Sequence, residues 1–232
     1  MAFPRPFVRL EPQSLAPLPA ILFSQAEQLT AGRSTSAACV TRFVPRNPKN
    51  DARTMMLSRE HLILTCEAGE LIARDAPGAN HSYMAGQPAD AWPLHHAQHR
   101  LTMAGEYDLE LRVLPSAWPM GKVWRSQPPP PQAGCLVVHP LYPAGVIDFR
   151  TVWLFSDVLF GVRSDGLLLF GPDPSEAVGW FLAAAGHVAV LAADDSGRTA
   201  HNGRPLSAGI PVILATGDTL LTDSLEWAVE IS

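Results

Sequence analysis

The chain has 232 residues, 47% hydrophobic and 17% charged, which is enough apolar material for a core and too little charge for a disordered chain. Its 22 prolines argue against a helical bundle, because each interior proline costs a helix roughly 3 kcal/mol. The formal net charge of -5 argues against a general nucleic-acid binder.

Residues 1–16 read as an extended N-terminal arm. Pro4, Pro6 and Pro12 lie in it, and Pro17 and Pro19 follow. It lacks the apolar run of a signal peptide. No stretch approaches the ~18 consecutive apolar residues of a membrane span, so a cytoplasmic protein is expected. Short strands are predicted next at Ala20–Phe23, Cys39–Phe43, His61–Thr65, Glu70–Ala73 and Asp108–Val113. The last alternates cleanly. Leu109, Leu111 and Val113 would face a core, and Asp108, Glu110 and Arg112 would face water. Pro115, Pro119 and the run Pro128–Pro131 then mark a stiff linker over 116–134. Further strands are expected at Thr151–Phe155, Leu167–Phe170, His187–Leu191, Val212–Leu214 and Trp227–Ile231. Glu176–Ala185 is rich in Ala and Leu but interrupted by Gly179, and reads as strand or loop. Turn residues every 8–12 positions are the mark of an all-β sandwich or barrel.

The two halves resemble each other. Ile21-Leu22-Phe23-Ser24 matches Trp153-Leu154-Phe155-Ser156, and Gly32-Arg33-Ser34 falls about where Gly161-Val162-Arg163-Ser164 does. His61-Leu62-Ile63-Leu64 matches His187-Val188-Ala189-Val190. Tyr107-Asp108-Leu109-Glu110-Leu111 matches Trp227-Ala228-Val229-Glu230-Ile231. The constant order indicates a diverged tandem repeat, with domains at 17–115 and 135–232. Cys39, Cys66 and Cys135 are far apart and odd in number, which makes a disulfide framework or a zinc site unexpected. The Lys-poor, Ala/Arg/Pro-rich composition suggests a bacterial source.

Charge is uneven along the chain. Residues 1–132 carry 13 Lys/Arg and 11 Asp/Glu, a balance of +2, whereas residues 133–232 carry 4 and 11, a balance of -7. In the window 31–59 the bases are Arg33, Arg42, Arg46, Lys49, Arg53 and Arg59, and the one acid is Asp51. That local excess of +5 points to an anionic ligand. Three loop motifs share the neighbourhood: Gly32-Arg33, then Ser58-Arg59-Glu60-His61, then the turn-rich stretch Asp75–Gly86. Arginine offers permanent planar donors for bidentate oxygen contacts. Serine offers a hydroxyl and asparagine an amide. These suit a phosphorylated side chain, which carries roughly -1.5 to -2 charge.

Gly-Arg, then Ser-Arg-x-His, then an Asn-containing turn resembles the pattern of forkhead-associated (FHA) domains, over about residues 17–115. The residues in agreement are Gly32, Arg33, Ser58, Arg59, His61, Asn80, Tyr83 and Gly86. The resemblance implies an 11-stranded β-sandwich that binds phosphothreonine peptides through loops at one end. It implies that Arg33 and Ser58 contact the phosphate and Asn80 holds the peptide backbone. Arg33, Ser58, Arg59, Asn80 and Ser82 are thus the candidate binding residues, with Gly32, His61 and Gly86 as structural support. Three positions depart from the pattern. Gly78 stands where a hydroxyl residue is usual, His81 where a glycine is, and Ala85 where an asparagine is.

The second copy reads as degenerate. Thr199, Asn202 and Gly203 keep the turn. Ala184-Ala185-Gly186-His187 stands in for Ser-Arg-x-His, and Gly197 replaces the binding asparagine. His61 and His187 read as core histidines, and Asn202 as a turn former.

His95-His96-Ala97-Gln98-His99 has no carboxylate or cysteine nearby to complete a metal set. No nucleophile–base or phosphate-loop motif is present. No cofactor, metal or enzyme activity is therefore expected. The reading is of two FHA-like sandwiches in tandem. The first binds a phosphothreonine protein of a Ser/Thr kinase pathway or secretion system, and the second is structural. Nucleic acid and membrane are not expected partners. A phosphate-independent scaffold using both sandwiches is the alternative.

Overall fold

The computed structural model describes residues 7–13, 18–88, 90–95, 98–116, 133–141, 149–164, 166–171 and 173–232. The proline run 128–131 lies outside them. In chain order the first half forms β1 (Val8–Pro12), β2 (Ala20–Ser24), β3 (Gln28–Gly32), β4 (Cys39–Val40), α1 (Pro48–Met55), β5 (Leu62–Glu67), β6 (Glu70–Asp75), β7 (Tyr83–Met84), β8 (Gln87–Pro88), β9 (Ala91–Leu94), β10 (Gln98–Met103) and β11 (Tyr107–Pro115). The second half forms β12 (Ala133–Pro140), β13 (Phe149–Leu154), β14 (Asp157–Val162), β15 (Leu168–Phe170), β16 (Gly179–Ala184), β17 (His187–Ala192), β18 (Thr199–His201), β19 (Arg204–Pro205), β20 (Val212–Ile213), β21 (Thr219–Thr222) and β22 (Leu225–Ile231). The all-β expectation holds, and the Glu176–Ala185 stretch carries a strand. The predicted alternation of β11 is present, with Tyr107, Leu109, Leu111 and Val113 buried between half-buried polar residues.

Among the described residues the chain forms two compact units, and neither is a continuous stretch. The first unit is Ala26–Val113 with Leu136–Trp153. The second comprises the residues up to Gln25, Leu114–Cys135 and Leu154–Ser232. The first unit has strand orders β13-β12-β11-β10-β7-β8 and β4-β3-β5-β6-β9. The second has β19-β18-β21-β22-β1-β2 and β15-β14-β16-β17-β20. Each therefore holds eleven described strands, six in one sheet and five in the other.

The division differs from domains at 17–115 and 135–232. Residues 8–12 are no free arm. β1 pairs antiparallel with β22, from Val8 opposite Ile231 to Pro12 opposite Trp227. Phe7 and Ser232 exchange backbone hydrogen bonds at the open end. β2 follows into the same unit, where Phe23 is fully buried with its ring 4.7 Å from Phe181 and 6.1 Å from Phe170. Conversely, the hairpin of β12 and β13 completes the first unit. The buried Thr151 hydroxyl donates to the Ala38 carbonyl at 3.1 Å, and the Trp153 indole N–H to the Ala26 carbonyl at 2.8 Å. Ile21–Ser24 and Trp153–Ser156 are repeat equivalents in the sequence, so each copy is closed by the other copy's opening hairpin. The physical reason is apolar burial. Val8, Leu10, Ile21 and Phe23 bury almost completely against strands from the far end of the chain, at roughly 1.5–3 kcal/mol for each large apolar side chain.

The only helix among the described residues, α1, falls in the basic window 31–59. Its Asn47 side chain accepts from the Asn50 N–H and Pro48 opens the first turn, the usual start of a helix. Among the described residues no helix is long and apolar enough to cross a membrane. Burial pushes the Cys39 thiol up to about 12, far from thiolate chemistry.

Candidate functional site

The site is assembled in the first unit where β3 ends. Gly32 closes that strand so tightly that a Cβ on it would lie 2.2 Å from the Arg59 carbonyl oxygen. Only glycine lets the two backbones approach this closely. The Arg33 N–H donates to the Ser58 carbonyl at 3.1 Å, and the Ser34 N–H to the Arg59 carbonyl at 3.0 Å. The Arg33 Nε also donates to the Leu57 carbonyl at 2.8 Å. The Gly-Arg and Ser-Arg-x-His motifs are thus hydrogen-bonded neighbours.

His61 fixes the second loop. It is fully buried, and its Nδ1 accepts the Ser58 N–H at 3.0 Å. That bond needs an unprotonated Nδ1. Burial holds the imidazole below the usual histidine value, against the opposing pull of Asp75 and the Asn80 backbone. The His61 N–H donates to Ala31 and its carbonyl receives Ala76 N–H, both at 2.8 Å, so the residue ties β3, β5 and the end of β6 together. Its assignment as a core histidine fits this placement.

Asn80 adds the third loop. Its side chain is exposed and its Nδ2 donates to the Met56 carbonyl at 2.8 Å. Arg33 and Ser58 are half-buried and Arg59 is exposed. Among the described residues the ion pairs engage Arg9, Arg46, Arg53, Arg74, Arg100, Arg112 and Arg198. Arg33, Arg42 and Arg59 have no carboxylate partner. The structure brings Arg33, Ser58, Arg59 and Asn80 together on three stitched loops.

Ser82 is different. It is fully buried, and its N–H donates to the Asp75 carboxylate at 2.9 Å. A hydroxyl with no exposure cannot reach a surface ligand, so Ser82 braces the loop instead of contacting a peptide. Gly86 supplies the turn between β7 and β8, at φ +77, and Ala85 precedes it at φ 50. Sequence reasoning left Arg42 unassigned within the basic window. Its Nη2 donates to the Arg33 carbonyl at 3.3 Å.

The second unit keeps the scaffold and replaces the chemistry. The Val178 N–H donates to Phe160 and the Ala193 N–H to Val178, the same bonds that His61 makes. His61 therefore corresponds to Val178, Ser58 to Ser175, Arg59 to Glu176 and Arg33 to Val162. The expected match of Ser-Arg-x-His to Ala184–His187 is corrected. Ala185 (φ 48) and Gly186 (φ 91) repeat the hairpin of Ala68 (φ 50) and Gly69 (φ 86) instead. His187 is exposed and opens β17, so it is no core histidine. Asn202 does act as a turn former, at φ 49, with its Nδ2 on Asp218. In the metal candidate, His96 lies outside the described residues and the His99 Nε2 sits 3.2 Å from the His95 carbonyl. No metal-ready group of three His, Cys, Asp or Glu occurs among the described residues.

No family model matches the chain, and no curated protein matches it. Solved structures that resemble part of it include FHA domains. The FHA-1 domain of Mycobacterium tuberculosis Rv1747 is 17% identical, with a TM-score of 0.29, over 43% of this chain and 86% of that one. A structure from work on phosphothreonine-dependent FHA domain interactions is 14% identical, with a TM-score of 0.32, over 47% and 99%. The FhaA FHA domain complexed with the intracellular domain of Rv3910 is 15% identical, with a TM-score of 0.28, over 43% and 92%.

Proposed function

We propose that the protein is an FHA-like adaptor whose first unit binds a phosphothreonine segment of a partner protein, and whose second unit is structural. One observation carries the reading. Arg33 and Arg59, without carboxylate partners, stand on loops hydrogen-bonded to each other beside Ser58 and Asn80. A dianionic phosphate needs such convergent donors, and among the described residues no carboxylate pairs with either arginine. Arg33 and Ser58 take the phosphate, and Asn80 holds the ligand backbone. The role is non-enzymatic, inside the cytoplasm, with a Ser/Thr kinase pathway or secretion-system protein as the partner class.

Titration of a phosphothreonine peptide library tests this. Micromolar binding that Arg33→Ala and Ser58→Ala each weaken is expected. No binding by the wild type, or unchanged binding in both variants, refutes it. Two observations favour the phosphate-independent scaffold: Gly78 lacks a hydroxyl, and the Asn80 amide already holds Met56. A partner pulldown unaffected by phosphatase would establish that reading instead.

A further inference from the structure

Beside the proposed phosphate site lies a cleft of about 460 Å³ that the reading above leaves without a role. Its walls include Arg33, Arg42, Arg46, Phe43, Thr54 and Met55. Most of it is made by the segment between β4 and β5, inside the basic window 31–59. Asp51 also lines it, giving three guanidinium groups against one carboxylate.

The cleft is a built feature. Phe43 is buried, and its N–H donates to the Thr54 hydroxyl at 3.1 Å, which donates on to the Asn50 carbonyl at 2.8 Å. The Asn50 Nδ2 donates to the Pro45 carbonyl at 2.8 Å. Arg53 lies 4.0 Å from the Phe43 ring centroid and pairs with Glu106 at 2.6 Å. These contacts lock the loop 43–47 onto α1 and leave Arg53 occupied. The lining arginines are freer. Arg33 and Arg42 have no acid partner, and Arg46 reaches Asp51 only at 3.6 Å, with 78% of its side chain exposed. An exposed pair of that kind is worth little and yields to a better anion.

The cleft is continuous with the phosphate site. Arg33 belongs to both, and Arg42 is bonded to the Arg33 carbonyl. Met55 and Met56 are exposed at 65% and 52%, and Met56 carries the carbonyl that holds Asn80. The volume is generous for a single phosphate, and the charged part of the wall carries a net positive balance.

We propose that the cleft seats a second anionic side chain of the same phosphopeptide, an Asp/Glu carboxylate or a second phosphate, near the phosphothreonine. This rests on the phosphothreonine reading and adds the class of substrate, an acidic or doubly phosphorylated segment. Arg42 and Arg46 are the specificity residues, and Arg33 serves both groups.

The test is fluorescence anisotropy with peptides of one backbone sequence. One carries a single phosphothreonine with neutral flanks. A second series scans Asp and Glu along the flanks, and a third scans a second phosphothreonine. Each is titrated into wild type, Arg42→Ala/Arg46→Ala, Arg42→Gln/Arg46→Gln and Arg33→Ala, with thermal melts to confirm folding. The expected result is a gain of about tenfold from the second anion, reduced at high salt and lost in both double variants. A single Arg46→Ala variant, which leaves the Arg42–Arg33 bond in place, should keep the neutral-flank affinity within about twofold of wild type, because charge pairing is local. The carboxylate and phosphate arms identify which source gives the gain. Equal binding of neutral and acidic peptides, still dependent on Arg33, overturns the second seat and leaves the phosphothreonine reading standing. No binding of any phosphorylated peptide overturns both. Equal, Arg42/Arg46-dependent binding of unphosphorylated polyglutamate or a DNA oligonucleotide overturns it in favour of a general polyanion surface.

Discussion

The two units share a backbone plan and differ in what they display on it. At the position where the first unit has His61, bracing Ser58 from below, the second has Val178, which makes the same two main-chain bonds and no side-chain bond. Arg33 gives way to Val162 and Arg59 to Glu176. Ser58 has a counterpart in Ser175, but that hydroxyl donates to Asp173 at 2.6 Å, and the carboxylate is held below its usual range by Ser175's hydroxyl and backbone. A phosphate arriving there would meet acids. The lesson is that the scaffold is preserved by burial and ladder bonds, whereas a binding site depends on a handful of loop side chains that the scaffold does not require.

Four experiments test that contrast. The largest effect is expected from Phe23→Ala, at about 3–5 kcal/mol. Although Phe23 belongs to the first repeat, hydrogen exchange should show lost protection in 154–232, with 26–113 nearly unchanged. Loosening confined to 26–113 would contradict the exchanged hairpins. Acid comes next. Burial, then Arg150 and Arg112, push His139 of the first unit down to about 4. The unfolded chain therefore binds that proton first, and stability present at neutral pH is lost as pH falls from 6.5 toward 4. Solvent screening of the partly exposed ring keeps the loss below about 3 kcal/mol, and chemical denaturation of wild type against His139→Gln checks it.

Arg33→Ala should weaken a phosphothreonine peptide about 100-fold, equal to about 2.7 kcal/mol, whereas Val162→Ala should leave binding unchanged. Calorimetric titration of both variants makes the comparison. The smallest effect is expected at Ala85, whose φ of 50 is unfavourable for an alanine. Ala85→Gly should raise the melting temperature slightly, for a gain of about 0.5–1 kcal/mol. Asn202 already occupies the equivalent turn of the second unit at φ 49, and asparagine tolerates that region better.

Local patterns were readable where one element decides its own environment. β11 shows its alternation, and the Gly-Arg and Ser-Arg-x-His loops show their residue types. Asn47-Pro48 is a helix start, but the eight-residue helix it opens buries only Asn50 and so shows no apolar periodicity. Long-range choices were not readable. Val8 and Leu10 are too short a pattern to announce a strand, and their partner lies more than 200 residues away. Ser82 looks like a ligand hydroxyl in a polar loop, and only the fold shows it buried. His187 imitates His61 in sequence because both precede alternating apolar residues, but backbone bonds place it one hairpin later.

The pairing of β1 with β22 also sets a schedule for biosynthesis. Residues 225–231 leave the ribosome more than 200 residues after residues 8–12. At about 5–20 residues per second, the opening strand waits on the order of 10–40 s for its neighbour. Through that interval the nascent chain carries an unclosed edge, open to chaperones or to a neighbouring copy on the same message.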